Sequence, residues 1–272
     1  MPSSTDLVEH AVNRDVTFGS VVRSEWLKFR SVRSSIVGIT VTVVLSLGLA
    51  ILVTVLVRTH WSTTSYQDKL TFDPVSTSLV GVIVAQFAVG VIGALFITSE
   101  YSSGSMRTTL TAVPKRFELT LGKLAVLMTS ILVVGEVTSI GSFLLGQSIY
   151  SGVVPTASLS NGATLRAVLF AGIYLTLLAT ITFGLGLIIR HSAATISVFV
   201  GLLLVLPLIF AFFPQSWRNA GLKFIPGELG HSMVTPQPVA NDFSPWTALI
   251  LLIVYAVVLV AVGATLFNRR DA

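Results

Sequence analysis

Apolar residues in this chain fall in long unbroken runs separated by short polar stretches, without the two-residue alternation of a half-buried strand. Six runs reach the length of a bilayer crossing, about 20 helical residues at 1.5 Å each. They cover residues 36–57, 79–98, 121–145, 167–189, 194–213 and 246–267. Backbone amides in hydrocarbon must be bonded internally, and runs without alternation are not lipid-facing barrel strands. The predicted fold class is therefore an all-α membrane protein with six transmembrane helices.

A shorter pattern precedes the first run. In "TFGSVVRSEWLKFRSVRSS" the apolar positions Phe18, Val22, Trp26, Phe29 and Val32 recur at three and four, among Arg23, Lys28, Arg30 and Arg33. This is the pattern of a basic amphipathic helix lying in the headgroup plane. The chain thus divides into a flexible tail (1–17), an amphipathic interfacial helix (18–34) and a transmembrane domain (35–272). The longest polar breaks in that domain are a loop at 99–120 and an outer loop at 214–245.

Composition agrees with this division. Apolar residues are 53% of the 272 positions and charged residues 11%, far below the roughly 25% typical of soluble domains. With six spans both termini share a side, and 12 of the 17 Lys and Arg residues lie on it. The bias is strongest beside the first span, which places both termini in the cytoplasm. Topology and attraction to anionic lipid account for the net charge of +5, and no nucleic-acid partner is expected. The chain has no cysteine, so disulfides and thiol metal sites are excluded. His10, His60, His191 and His231 are scattered without metal-binding spacing. No G-x-x-x-x-G-K-[ST] phosphate loop and no Ser/His/Asp constellation occurs, so this chain is not expected to be an enzyme.

The connection "ITSEYSSGSMRTTLTAVPKRFELTLGKL" is the informative one. Ser102, Ser103 and Gly104 suit a helix N-terminus and Pro114 ends it, which predicts about two helical turns over 105–112. So short a helix is marginal in water unless something packs on it. Glu100, Gly104-Ser105, Arg107, Leu110, Pro114, Arg116 and Gly122-Lys123 resemble, in order, the "E…G-T/S…L…P…R…G-K" pattern of type 2 ABC transporter permeases, the membrane subunits of many bacterial exporters. The "SEW-K-R" helix (Ser24, Glu25, Trp26, Lys28, Arg30), the six spans, the tiny "RHSA" turn and the large outer loop match that family's layout too. Ser105 stands where Thr is commoner, keeping the hydroxyl.

The resemblance implies a multi-pass permease subunit in the cytoplasmic membrane of a prokaryote, paired with a second permease, identical or related. Two copies of a separate ABC ATPase subunit would carry ATP and Mg, leaving no cofactor in this chain. It implies that 105–112 is the coupling helix: Glu100 and Arg107 as polar or ionic contacts, Met106 and Leu110 as the apolar anchor, Pro114 as a stiff exit, with Gly104, Ser105 and Arg116 in the same motif. A gradient-driven transporter or channel, and a membrane anchor that recruits a cytoplasmic partner, remain alternatives.

Features inside the spans complete the expectations. Gly38, Thr42, Ser46, Ala50 and Thr54 recur every four residues, as do Gly172, Thr176, Thr180 and Gly184, and such ridges let helices approach closely. Pro207 predicts a kink that frees a carbonyl near Leu203. Five of the ten prolines (214, 226, 236, 238 and 245) break the outer loop into short pieces. Glu136, near the middle of span three, costs roughly 2.5–3.5 kcal/mol to insert if charged. It is expected either to face a substrate path, which would suit a cationic substrate, or to be clamped by a hydroxyl such as Thr176, Thr180 or Tyr174. Gln86 is the second candidate for the path.

Overall fold

The computed structural model describes residues 17–106, 116–237 and 241–269. Arg107, Leu110 and Pro114, with the remainder of the helix expected at 105–112 and nearly all of the N-terminal tail, lie outside the described residues. Helices make up the described chain: α1 (Phe18–Ser31), α2 (Arg33–His60), α3 (Tyr66–Leu70), α4 (Pro74–Ser78), α5 (Val82–Ser102), α6 (Arg116–Tyr150), α7 (Gly162–Ile189), α8 (Ser192–Val200), α9 (Leu206–Phe210), α10 (Gln215–Leu222), α11 (Pro226–Val234) and α12 (Pro245–Arg269). Six helical segments are long and apolar enough to cross a membrane: α2, α5, α6, α7, α12 and the stretch from α8 to α9.

One helix forms the axis of the bundle. In its most apolar stretch α7 is 83% buried, against 17% for α2. It packs on α5, α6 and α12, so its side chains meet protein on nearly all sides. In α2 the pattern is inverted relative to a soluble helix. Ile36, Val37, Val44 and Leu52 are exposed, whereas Thr42, Ser46, Ala50 and Thr54 are buried on the four-residue ridge read from the sequence. With lipid as solvent, apolar contact with the surroundings costs nothing, and small residues are kept for close helix contacts. Gly93 shows the closeness: a Cβ there would lie 2.2 Å from the carbonyl oxygen of Ala179 on α7. At Gly90 the absent side chain makes room for the Phe199 ring of α8.

Span two begins at Val82 rather than residue 79 because α4 takes up the preceding turn. Asp73 accepts from Val75 N at 2.9 Å and Pro74 opens α4 with its fixed φ. Span three, at 35 residues, is much longer than a crossing needs; Leu119, Thr120, Gly122 and Lys123 of its first turns are buried, and the helix packs on α1. In span five, residues Gly201–Val205 form a π-helical turn, with Leu206 N donating to Gly201 O. The strain that Pro207 introduces is thus absorbed by a widened turn in front of the proline.

The loop at 214–245 is broken as its prolines require, into α10 and α11. The second is firmly seated: Leu229 and Met233 are fully buried, and Gly230 lies against the Tyr174 ring of α7. Arg166 on α7 closes its C-terminus, donating to the carbonyls of Met233 (3.1 Å), Thr235 (3.0 Å) and Pro236 (2.9 Å). A guanidinium is suited to this, since the last carbonyls of a helix have no intrahelical donor.

Candidate functional site

The helix α1 starts at Thr17, whose Oγ1 accepts from Ser20 N at 3.4 Å. Two faces then diverge. Phe18, Trp26 and Val32, members of the stripe read from the sequence, are exposed, while Val21, Glu25 and Phe29, spaced by four, are buried against the bundle. Gly122 of α6 permits the approach, since a Cβ there would come within 2.8 Å of Val21 Cγ1. Phe29 meets Phe96 of α5 edge-on, with centroids 5.4 Å apart.

Between these contacts lies a cluster of four charges. Lys123 Nζ on α6, with a side chain 1% exposed, donates to Glu25 Oε2 at 2.7 Å and to Glu100 Oε1 of α5 at 2.5 Å. Lys28 Nζ reaches Glu25 Oε1 at 3.0 Å and Glu100 Oε1 at 3.3 Å. The Lys123 ammonium also lies 5.5 Å from the Phe96 ring centroid, in cation–π range. Two carboxylates against two ammoniums balance, which is the condition for leaving such groups in a low-dielectric site. Partial burial works to lower the pKa of Lys28, but Glu100 and Glu25 outweigh it and hold the ammonium above its ordinary value.

Glu25, Lys28, Glu100 and Lys123, quoted above as separate motif residues, are therefore one constellation joining three helices. Glu100, expected from the sequence to contact a partner, is engaged by both lysines. The sequence signals of the constellation were a lone acid on an otherwise basic helix, four residues from both Val21 and Phe29, and a lone lysine just inside an apolar span.

The 99–120 connection leaves this cluster directly. Gly104 has φ +70° and its N–H donates to Tyr101 O at 3.3 Å, so it terminates α5 in the left-handed conformation that glycine tolerates. It also immediately precedes the helical residues Ser105 and Met106, the position expected to cap the following helix. Ser103 does face that way, its Oγ lying 3.5 Å from Ser105 N and 2.9 Å from Ser105 Oγ. Met106, expected among the apolar anchors for a partner, is 2% exposed and belongs to the chain's own core. At the other root, Arg116 donates to Phe267 O of α12 at 2.9 Å and sits 5.7 Å from that residue's ring. Tyr101 packs edge-on to Phe267, the Arg190 guanidinium lies 5.3 Å from the Tyr101 ring centroid, and Thr98 bonds Ser192 at 2.8 Å. The first root is thus tied to α1, to Arg190 at the end of α7 and to α8, and both roots are tied to α12.

The two path candidates lie apart. Glu136 rests against α7, where a Cβ on Gly172 would be 2.5 Å from its Oε1. Its Oε2 is buried with no hydrogen-bond partner among the described residues. None of the expected hydroxyls clamps it: Thr176 and Thr180 donate to the carbonyls of Gly172 and Thr176, and Tyr174 to Gln86 Oε1 at 2.5 Å. Gln86 lines a cleft of about 340 Å³ with Tyr174, Leu203, Glu228 and His231, at the end of the bundle opposite α1. Gly172 and Tyr174 project about 200° apart on α7, so Glu136 and Gln86 occupy different faces of it. Among the described residues no group of three or more His, Asp or Glu side chains is placed to hold a metal.

Comparison with known proteins bears on the whole arrangement. No curated protein gives a significant match. A family described as ABC-2 family transporter protein does match, over residues 21–213, which takes in most of α1, the ion cluster, the 99–120 connection and the first five spans. That stretch is well over half of the chain, and the protein, a multi-pass membrane component of a transporter, belongs to the type 2 ABC transporter permease family.

Proposed function

We propose that this chain is the membrane-spanning permease subunit of an ATP-driven exporter in the cytoplasmic membrane of a prokaryote. It would pair with a second permease and couple to two copies of a separate ATPase subunit through the connection at 99–120. ATP and Mg act on that partner. The observation that carries the reading is the anchorage of both roots of the connection: Glu100 in the charge cluster and Arg116 on α12. A push on the connection would move α1, α5, α6 and α12 together, as rigid bodies between inward and outward states. A loosely rooted loop would dissipate it. The excess of Lys and Arg at the α1 end supports placing that end in the cytoplasm, and the exposed Phe18, Trp26 and Val32 support an interfacial position for α1.

In this reading Arg107, Leu110 and Pro114 meet the ATPase, Gly104 and Ser105 set the direction of the connection, and Met106 fastens it internally. Glu136 and Gln86 remain the candidates for the path, Glu136 for a cationic substrate. The test is co-expression with an ATPase encoded beside it, purification in nanodiscs, and measurement of ATP hydrolysis and export. Arg107→Glu should abolish the coupling of hydrolysis to export while the complex still forms. Coupled export unchanged by that reversal would reject the reading, as would failure of any ATPase to co-purify. Glu136→Gln with transport of every substrate unchanged would remove Glu136 from the path.

A further inference from the structure

The cleft at the end of the bundle opposite α1 exists because α11 is seated on α7 beside the start of α5. At about 340 Å³ it lies near the lower end of the roughly 300–1,000 Å³ of small-molecule pockets. Leu79, Ile83, Leu203 and Val234 give it apolar walls, and Gln86, Tyr174, Glu228 and His231 supply most of its polar groups. Leu203 comes from the π-helical turn before Pro207 and is faced by Gly227 of α11, where a Cβ would stand in ordinary contact, 3.5 Å from Leu203 Cδ2. The remaining polar side chain, Ser76, is occupied, donating to Asp73 Oδ2.

The charge in this cleft is unanswered. Glu228 is the one acid that lines it, and no Lys or Arg does. The Glu228 carbonyl accepts from Ser232, but its side chain has no hydrogen bond or ion pair among the described residues. The residue is half-buried and neither carboxylate oxygen is sealed from solvent, so a ligand can reach them. Gln86 is placed alike: its Oε1 takes the Tyr174 hydroxyl at 2.5 Å, while its Nε2 is accessible and unpartnered among the described residues. The Glu228 carboxylate acts electrostatically on that same hydroxyl, so both groups lie near it. His231 stands at the edge, 56% exposed, with Asp242 Oδ2 4.0 Å from its Nδ1. The first turn of a helix favours an acid, which accounts for the charge being tolerated on α11 but not for its place on a cleft. One carboxylate among apolar walls does not supply the several oxygen ligands a metal ion needs. An anion would be repelled, and a neutral apolar molecule would strip water from the carboxylate without replacing it. An organic cation with N–H groups and a compact apolar body satisfies charge and walls together.

We infer that this cleft binds an amphiphilic organic ammonium, its N–H groups on the Glu228 carboxylate, its apolar body between Ile83, Leu203 and Val234, and Gln86 Nε2 offering a bond to an acceptor on the same molecule. Ile83 is 59% exposed, so the apolar wall is continuous with the exposed surface of α5, where such a molecule would arrive from lipid. The inference deepens the reading of Gln86 as a path residue and rests on it only in calling the molecule a substrate; occupancy of the site is measured without an ATPase.

The full-length protein in nanodiscs is titrated calorimetrically at neutral pH with naphthylethylamine, naphthylethanol and naphthylacetate, which share a ring system and differ in charge, and the heats of empty nanodiscs are subtracted. The amine should saturate one site per chain and bind about tenfold or more tightly than the alcohol, with the acetate weakest of the three. Glu228→Gln, which breaks no hydrogen bond of that side chain, should bring the amine to the affinity of the alcohol and leave the alcohol unchanged. Gly227→Leu, which fills the cleft beside Leu203 without touching a charge, should weaken amine and alcohol alike by about tenfold or more. Equal affinities for amine and alcohol overturn the inference, as does an amine affinity unmoved by Glu228→Gln. Unchanged binding in a folded Gly227→Leu protein overturns it independently. A tight amine site in a protein that exports no amine would keep the inference and remove Gln86 from the path, whereas amine export without this site would overturn the inference and leave the export reading standing.

Discussion

Removing the Lys123 ammonium tests the core of the site. In Lys123→Met the stem volume is kept, but Glu25 and Glu100, with side chains 2% and 13% exposed, are left facing one partly exposed lysine. Breaking a buried pair by deleting one partner costs about 3–5 kcal/mol, because the remaining charge stays buried without compensation. The cost should fall on the attachment of α1, since Glu25 is the only acid among that helix's buried residues. Attachment is read by amide exchange of α1 in nanodiscs, where local opening is resolved from global unfolding. At 1.4 kcal/mol per factor of ten, exchange of residues 21–31 should speed by about one hundredfold to a few thousandfold, while α7 is unaffected.

Adding Glu25→Gln should then rescue rather than worsen the variant. It leaves Lys28 balanced by Glu100, and residues sharing one network couple by about 0.5–3 kcal/mol. A change below about threefold in Lys123→Met, or strict additivity in the double variant, would refute the claim that these four charges act as a unit.

Other expectations follow from individual contacts. Lys28 is held above its ordinary value of 10.5 by Glu100 and Glu25, so the stability it contributes is complete below that value and is lost only as pH rises through the higher folded pKa; exchange of α1, corrected for intrinsic rates, should be flat from pH 7 to 9 and accelerate only on the alkaline side. Gly104→Ala places a Cβ in open space but at φ +70°, and should cost about 1–2 kcal/mol, seen as fraying of the last turn of α5 by exchange. Gly93→Ala drives a Cβ to within 2.2 Å of a backbone oxygen and should lose about 1–3 kcal/mol in detergent unfolding, whereas Gly48→Ala, with nothing within 4 Å, should lose none. Arg166→Gln removes three carbonyl contacts and should loosen α11 by about 1.5–3 kcal/mol, visible as faster proteolysis in the outer loop.

The boundary between what the sequence discloses and what it conceals follows the physics of the solvent. Span number and order are legible because lipid rewards every apolar residue in a run, so the signal accumulates over some twenty positions; span ends are not, because Asp73 and Pro74 start a separate helix through a local cap and Arg116 holds the start of α6 to Phe267 of α12, and hydropathy registers neither. The α2 ridge is legible because small residues at four-residue spacing have few other uses in a membrane. Periodicity finds α1 but picks the face toward the surroundings, because three of its marked positions, Phe18, Trp26 and Val32, are exposed, while the docking face has a glutamate in its middle. That glutamate is also why the site itself was hidden. A charge read in one dimension looks solvated or destined for a partner; Lys28 is near in sequence, but the buried ammonium that pairs with Glu25 is 98 positions away, and only the close approach allowed at Gly122 brings Lys123 within 2.7 Å of Glu25. Position 122 therefore controls the cluster sterically: a bulky residue there would part α1 from α6 and break the ion pairs without altering a single charge.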